Sequence, residues 1–289
     1  EINRVDRTAK FDFTESGLEV LGNFNTPDSV VRSAIIYCLR CLVSSDIPLN
    51  AGCLRPVKIL TKEGSILNPS ETAAIVGGNV TTSQRITDVI LKAFKAMGDS
   101  QGCMNNFTFG DNSFGYYETI AGGAGAGPTW DGVDAVQSHM TNTRITDPEI
   151  FESRFPAVLQ EFSIRKDSGG DGQHRGGNGA VRQFRFKKPV MVSVLSERRV
   201  FSPQGILGGQ DGKRGVNTMI YPSGRAVNVG GKCSIEVEAG TVFRICTPGG
   251  GGYGCAKDRK EDKSGRNAAK TSLVEAGSLH SYAKMQEQA

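Results

Sequence analysis

Three stretches of this chain carry too much glycine to be ordinary helix or strand. They are Gly-Gly-Ala-Gly-Ala-Gly at residues 122–127, the half-glycine run at residues 168–179, and Thr-Pro-Gly-Gly-Gly-Gly-Tyr-Gly at residues 247–254. Glycine has no Cβ and loses the most backbone entropy on ordering, so such runs take their shape from neighbours and not from their own propensity. They read as loops between elements: the second as a long turn between strands, the third as a structural turn. The first either presents backbone N–H groups to an anion or is a plain tight loop.

The residues around these runs sort into an α+β chain, with a mixed helix and sheet N-terminal portion followed by a β-rich portion. Residues 1–25 alternate loosely, with Phe11 and Phe13 on one side and Gly17 and Gly22 punctuating a hairpin. Thr26-Pro27-Asp28 supplies a cap and a first-turn proline, and Val31, Ala34, Ile35, Cys38, Leu39 and Leu42 follow at helical spacing. Three prolines between residues 48 and 69 break that segment into short strands and turns. After Ser83 a second stripe, Ile86, Val89, Ile90, Ala93, Phe94 and Met97, predicts a helix ended by Gly98. Asp147-Pro148 opens a short helix to about Phe155. Strands are expected at residues 158–164, 181–186, 190–195, 218–221, 235–237 and 242–245. The division expected is 1–156, 157–256, and a charged linker with a weakly helical tail over 257–289.

With 38% hydrophobic residues in 289, the chain can bury a substantial core. Thirty-four Lys and Arg against 30 Asp and Glu leave a net charge of +4, spread without a basic block, which argues against a nucleic-acid partner. No apolar run approaches the length of a membrane span, and the polar start has no signal core behind it, so a soluble cytoplasmic protein is expected. Seven scattered cysteines fit reduced thiols. Cys38 and Cys41 form a CxxC without a second Cys or His pair at ligand spacing, so core packing is expected there and no metal site.

Residues 102–145 change character, becoming rich in Gly, Asn, Thr and aromatics, the composition of a site. His139 is a candidate base, Arg144 a candidate clamp for carboxylate or phosphate, and Asn142 and Thr143 candidate binding groups between them. Glu118, beside Tyr116 and Tyr117, is a rival for proton transfer because aromatic surroundings can raise a carboxyl pKa. Gly123 and Gly125 are candidate anion-binding positions, and His174 and Arg175 in the second glycine run are candidate anion contacts. Cys103 is the loop cysteine of this region, with only a weak case as a nucleophile. The glycine run at 122–127 does not fit a dinucleotide fingerprint. Neither Gly212-Lys213 nor Gly231-Lys232 is followed by Ser or Thr, so neither makes a phosphate-binding P-loop.

Six runs in order resemble the hydantoinase B / 5-oxoprolinase family. They are residues 104–110 (Met-Asn-Asn-Phe-Thr-Phe-Gly), 116–123 (Tyr-Tyr-Glu-Thr-Ile-Ala-Gly-Gly), 139–149 (from His139 to Glu149), Arg175-Gly176-Gly177, 195–199 (Leu-Ser-Glu-Arg-Arg) and 247–252. The resemblance implies a cytoplasmic, ATP-dependent hydrolase of a cyclic amide, with 5-oxoproline as substrate and L-glutamate as product, in glutathione metabolism. It also implies ATP and Mg bound mainly by N-terminal parts that this chain does not contain, and a divalent metal upstream of Glu1. The remaining N-terminal region of the same enzyme would then be a partner, and a homo-oligomer, a homodimer first, is expected. On this resemblance the site would comprise His139, Glu118 and Arg144, with Asn142, Thr143, Arg175, Gly123 and Gly125 binding substrate or phosphate. A carboxylase subunit of the same superfamily and a non-catalytic structural fragment are the alternatives.

Overall fold

In a computed structural model, which describes residues 1–43, 50–141 and 143–259, the elements run β1 (Ile2–Asn3), β2 (Thr8–Asp12), α1 (Asp28–Leu42), β3 (Val57–Leu60), α2 (Ser83–Ala93), β4 (Asn106–Asp111) and β5 (Phe114–Thr119). Then follow α3 (Pro148–Arg154), β6 (Ala157–Arg165), β7 (Gly179–Phe186), β8 (Val190–Leu195), β9 (Val216–Ile220), β10 (Ala226–Asn228), β11 (Lys232–Val237) and β12 (Val242–Cys246). The α+β class expected from the sequence is what the chain adopts. Helix α1 starts at Asp28 after Pro27, and its stripe Val31, Ala34, Ile35 and Cys38 is fully buried. The stripe runs out one turn earlier than its spacing suggests. Cys41 is exposed and Leu42 is 37% exposed, so core packing holds for Cys38 and not for Cys41.

Two further expectations are corrected locally. The N-terminal hairpin turns between β1 and β2, not at Gly17 and Gly22, and β2 then pairs parallel with β3. Helix α2 stops at Ala93, short of Gly98, because Phe94 caps it and Lys95 takes a left-handed φ of 55°. Val89, placed on the buried stripe by its spacing, is 55% exposed. The expected tail over residues 273–288 lies outside the described residues.

Strands β10-β9-β12-β7-β6 form one sheet and β11-β8-β4-β5 another. Their inner faces meet through aromatic rings: Phe107 of β4 stacks on Phe184 of β7 at 4.7 Å and on Phe243 of β12 at 4.9 Å. The hairpin β4–β5, hidden inside the stretch that looked like loop, thus supplies Phe107, Phe109 and Tyr116 to the main core. A second core gathers α1, α2, β2 and β3 around Val31, Ile35, Ile86 and Ile90. Residues Glu1–Asp258 form one compact unit holding both.

Between the cores the glycine runs weave together. Successive N–H groups of residues 249, 250, 251 and 252 donate to the carbonyls of Lys213, Gly177, Asp99 and Gln210 at 3.1, 2.8, 2.8 and 2.9 Å. The first and fourth bonds reach the same neighbouring segment, three residues apart on both sides. Likewise Gly123 and Ala126 donate to Pro248 and Gly251, again three apart on each thread. Bonds leaving in three directions with a period of three residues describe packed threads of polyproline-II type, in which a backbone can lie against a backbone only where no Cβ intervenes. A Cβ built on Gly250 would stand 1.9 Å from the Ala124 carbonyl oxygen. The runs that read as separate turns are one hydrogen-bonded lattice.

Candidate active site

The lattice includes residues 98–101, and it presents Ser100 to the helical core. Asp99 N–H donates to Gln204 O, Asp99 O accepts from Gly251, and Gln101 N–H donates to Gly123 O. Ser100, fully buried, stands 3.1 Å from Nε2 of His139, whose Nδ1 lies 2.9 Å from the hydroxyl of Tyr37 on α1. The Ser100 hydroxyl also accepts the Gly125 N–H at 3.0 Å. Sequence reading singled out His139, whereas Gly125, expected to bind an anion, donates instead to Ser100. It missed Tyr37 and Ser100, which carried no signal because their partners are 102 and 39 residues away.

Burial drives the His139 imidazole down to about pKa 4, so the ring is neutral at ordinary pH. Burial pushes the Tyr37 phenol up, which keeps its proton in place. A neutral imidazole bridging two hydroxyls donates from one nitrogen and accepts at the other, so exchange of its tautomers passes a proton between them. Beneath lies a buried charge cluster: Arg198 Nη2 donates to Asp88 at 2.8 Å and to Asp99 at 2.7 Å, while Asp88 accepts the Ser100 N–H at 3.1 Å. Burial raises both carboxyls, and for Asp88 the nearby Asp99 adds to it. Met140 and Arg198 flank the site with left-handed φ of 61° and 59°, conformations that cost non-glycine residues energy and gather at functional sites. Two amide nitrogens near this network, Gln84 Nε2 and Gln101 Nε2, are buried without a hydrogen-bond partner among the described residues. Orphaned donors of this kind suit a polar ligand group.

The other expected residues fall in different places. Glu118 is 4% exposed and is clasped by Arg182, Nε to Oε1 at 2.8 Å and Nη2 to Oε2 at 3.0 Å, with the Tyr116 hydroxyl at 2.6 Å. Both of its oxygens are thus occupied inside the sandwich, and the geometry makes it an ion-pair partner instead of a base. Thr143 is exposed with its hydroxyl bonded to Thr119, and Arg144 is exposed five residues beyond His139. Asn142 lies outside the described residues. Arg175 is at the surface, paired with Asp171 at 3.4 Å, and its N–H donates to Asp131. His174 stands 3.6 Å from Asp131, so this corner gathers carboxylates and does not resemble an anion clamp. Gly123 and Gly125 donate their N–H groups to Pro248 O and Ser100 Oγ, and Ala124, Ala126 and Gly127 likewise donate to Val133, Gly251 and Trp130. Of the run at 122–127 expected to offer N–H groups to an anion, the N–H groups of residues 123–127 are taken by partners within the chain. Cys103 is fully buried, and burial raises its thiol pKa, the opposite of an activated nucleophile.

The neutral state of His139 has a measurable consequence. The unfolded chain protonates the ring near its ordinary pKa of 6.5 while the folded chain resists until about 4, so folded stability is full above the first value and declines as pH falls toward the second. The whole decline is about 3 kcal/mol. Urea denaturation at pH 7 and pH 4.5 is expected to show wild type losing about 2 kcal/mol more than His139→Gln. Equal losses would mean the ring is not held neutral.

Comparison with known proteins places nearly the whole described chain in one family. The family model for hydantoinase B/oxoprolinase matches residues 1–256. The chain is 62% identical over 246 residues to 5-oxoprolinase 1 of Arabidopsis thaliana, covering 85% of this chain and 19% of that one. It is 56% identical to the 5-oxoprolinase of Dictyostelium discoideum, covering 88% and 20%. It therefore spans about a fifth of the length of these relatives. In fold it is similar to the ATP-dependent caprolactamase from Pseudomonas jessenii, with TM-score 0.72 at 23% identity over 86% of this chain and 46% of that one.

Proposed function

The chain belongs to the hydantoinase B/oxoprolinase family, and on that premise we propose that it is the hydrolytic C-terminal part of an ATP-dependent 5-oxoprolinase, which opens 5-oxo-L-proline to L-glutamate. The observation carrying this is the 62% identity over 85% of the chain to a 5-oxoprolinase, a likeness far beyond one of fold. The remaining region of the same enzyme is its partner.

No P-loop and no metal-binding cluster is built among the described residues. Neither Gly-Lys pair continues as a P-loop, and among the described residues no three His, Cys, Asp or Glu side chains gather at metal-binding distance. Nucleotide handling is accordingly assigned to the parts of the enzyme beyond this chain, and no step below passes through a metal. A lactam carbonyl is a poor electrophile because nitrogen shares its lone pair with it. Transfer of the terminal phosphoryl group of ATP to the amide oxygen releases ADP and leaves an electrophilic ring carbon. Water adds there and loses a proton, the C–N bond breaks as the nitrogen takes up a proton, and a ring-opened acyl phosphate results. A second water then yields carboxylate and phosphate.

In this chain the proton leaving the attacking water is assigned to the His139–Ser100–Tyr37 relay, with Gln84 and Gln101 as amide donors to the ring-carbonyl side and Arg144 as partner of the substrate carboxylate. His139→Ala and Ser100→Ala in the full-length enzyme are expected to lower ATP-dependent glutamate formation by 10²-fold or more, roughly the share of general acid–base catalysis. Melting curves would show that both variants still fold. Retention of full turnover by both would remove the relay from the mechanism, and absence of glutamate from the wild type would remove the reaction.

A further inference from the structure

On the sandwich a cavity of about 570 Å³ is lined by Arg165, Arg199, Lys213 and Arg214 with a single carboxylate, Asp211. Arg165 closes β6, Arg199 follows β8, and Lys213 and Arg214 precede β9. Four cations at one cavity repel one another, and none of them stands in a salt bridge among the described residues. Asp211 is turned to the Gly205 N–H at 3.0 Å, and Glu197 lies 3.8 Å from Lys232.

The cluster is built, not incidental. Arg165 Nη1 is fixed by the carbonyls of Arg214 at 2.8 Å and Thr247 at 2.9 Å. Arg199 is fixed by Asn105 at 2.7 Å and Asn217 at 2.8 Å, and it lies so close over Gly215 that a Cβ there would be 2.6 Å from its Cζ. Its Nε–H is buried with no partner among the described residues. Burial disfavours the charged form of both arginines, and Arg165 adds repulsion on Arg199, which an anion between them would offset. Guanidinium groups held by their carbonyl and amide partners suit the oxygens of a tetrahedral dianion, and four positive charges exceed what a monoanionic carboxylate would balance.

We propose that this cavity binds a phosphate dianion, either free inorganic phosphate or a phosphoryl group on a small molecule. The assignment stands independently of the ring-opening reaction, because it is read by binding and not by turnover. Calorimetry on the full-length protein with inorganic phosphate and with phenyl phosphate distinguishes the two sources, and acetate serves as the monoanion control. Lys213 and Arg214 are exposed, so Lys213→Gln and Arg214→Gln leave the fold intact. Each is expected to raise the phosphate Kd about tenfold, and the pair about a hundredfold, as loss of charge-assisted hydrogen bonds implies. Binding of phosphate alone supports the free-anion form, and tighter binding of phenyl phosphate supports the carried group. No heat with either ligand, acetate binding as tightly as phosphate, or a double variant that binds phosphate unchanged would each overturn the site.

Discussion

Glu118→Ala is expected to destabilise the protein by about 3–5 kcal/mol, the usual consequence of leaving one member of a buried ion pair without the other. Arg182 is completely buried, its guanidinium lies 4.7 Å from the Phe162 ring, and its Nη1 already has no partner. Removing Glu118 leaves that charge facing two sheets of aromatic side chains with no counter-ion, and the Tyr116 hydroxyl loses its acceptor as well. Replacing both members, Glu118→Leu with Arg182→Met, removes the charge together with its partner and is expected to recover most of the loss, since packed apolar pairs often equal buried ion pairs. Urea denaturation of the three proteins reads this directly. If Glu118→Ala kept wild-type stability while abolishing turnover, the carboxylate would belong to the chemistry and not to the sandwich.

The second large effect lies in the glycine lattice. Gly250→Ala places a methyl 1.9 Å from the Ala124 carbonyl oxygen and 2.8 Å from the Gly125 nitrogen, both backbone atoms already tied into neighbouring threads. Neither can retreat without breaking bonds to a third segment. Overpacking usually costs about 1–3 kcal/mol where side chains can adjust, and here nothing flexible is available. A loss above roughly 4 kcal/mol, or failure to accumulate soluble protein, is expected. Gly115→Ala is the control, because nothing lies within 4 Å of its added carbon; its stability should change by no more than about 0.5 kcal/mol. Comparable behaviour of the two variants would show that the threads tolerate separation.

Much of the scaffold was legible because it obeys local periodicity. The start of α1 beside Pro27, the Asp147 cap of α3 and the alternation of strands such as β8, buried at Val190, Val192 and Val194, are written in neighbouring residues, although Thr26 does not cap α1 as its position suggested. Hairpin β4–β5 was not legible, although Phe107 and Phe109 alternate with an exposed Thr108, because the surrounding Gly and Asn suggested a loop. The glycine runs were visible but their meaning was not. Each thread is specified by segments far away, as when Gly250 bonds Gly177 and Gly251 bonds Asp99. The site divides the same way. His139 stood out as a residue type in a polar run, whereas the relay depends on Ser100 and Tyr37, ordinary in their own surroundings. Glu118 looked poised for chemistry from its aromatic neighbours alone, and Arg182, 64 residues on, decides otherwise.

The weave also imposes an order of events on the growing chain. Residues 249–252 donate to threads at 99, 177 and 210–213, every one of them translated earlier. When the ribosome has finished residue 248 the outer threads all exist, yet the strand they enclose does not. Contacts so distant in sequence form slowly and late, and until they do, the carbonyls meant for residues 249–252 must be satisfied by water. Ser100 is set in place through Asp99, whose carbonyl is bound by Gly251. Assembly of the relay therefore waits on residues made about 150 positions after Ser100 itself.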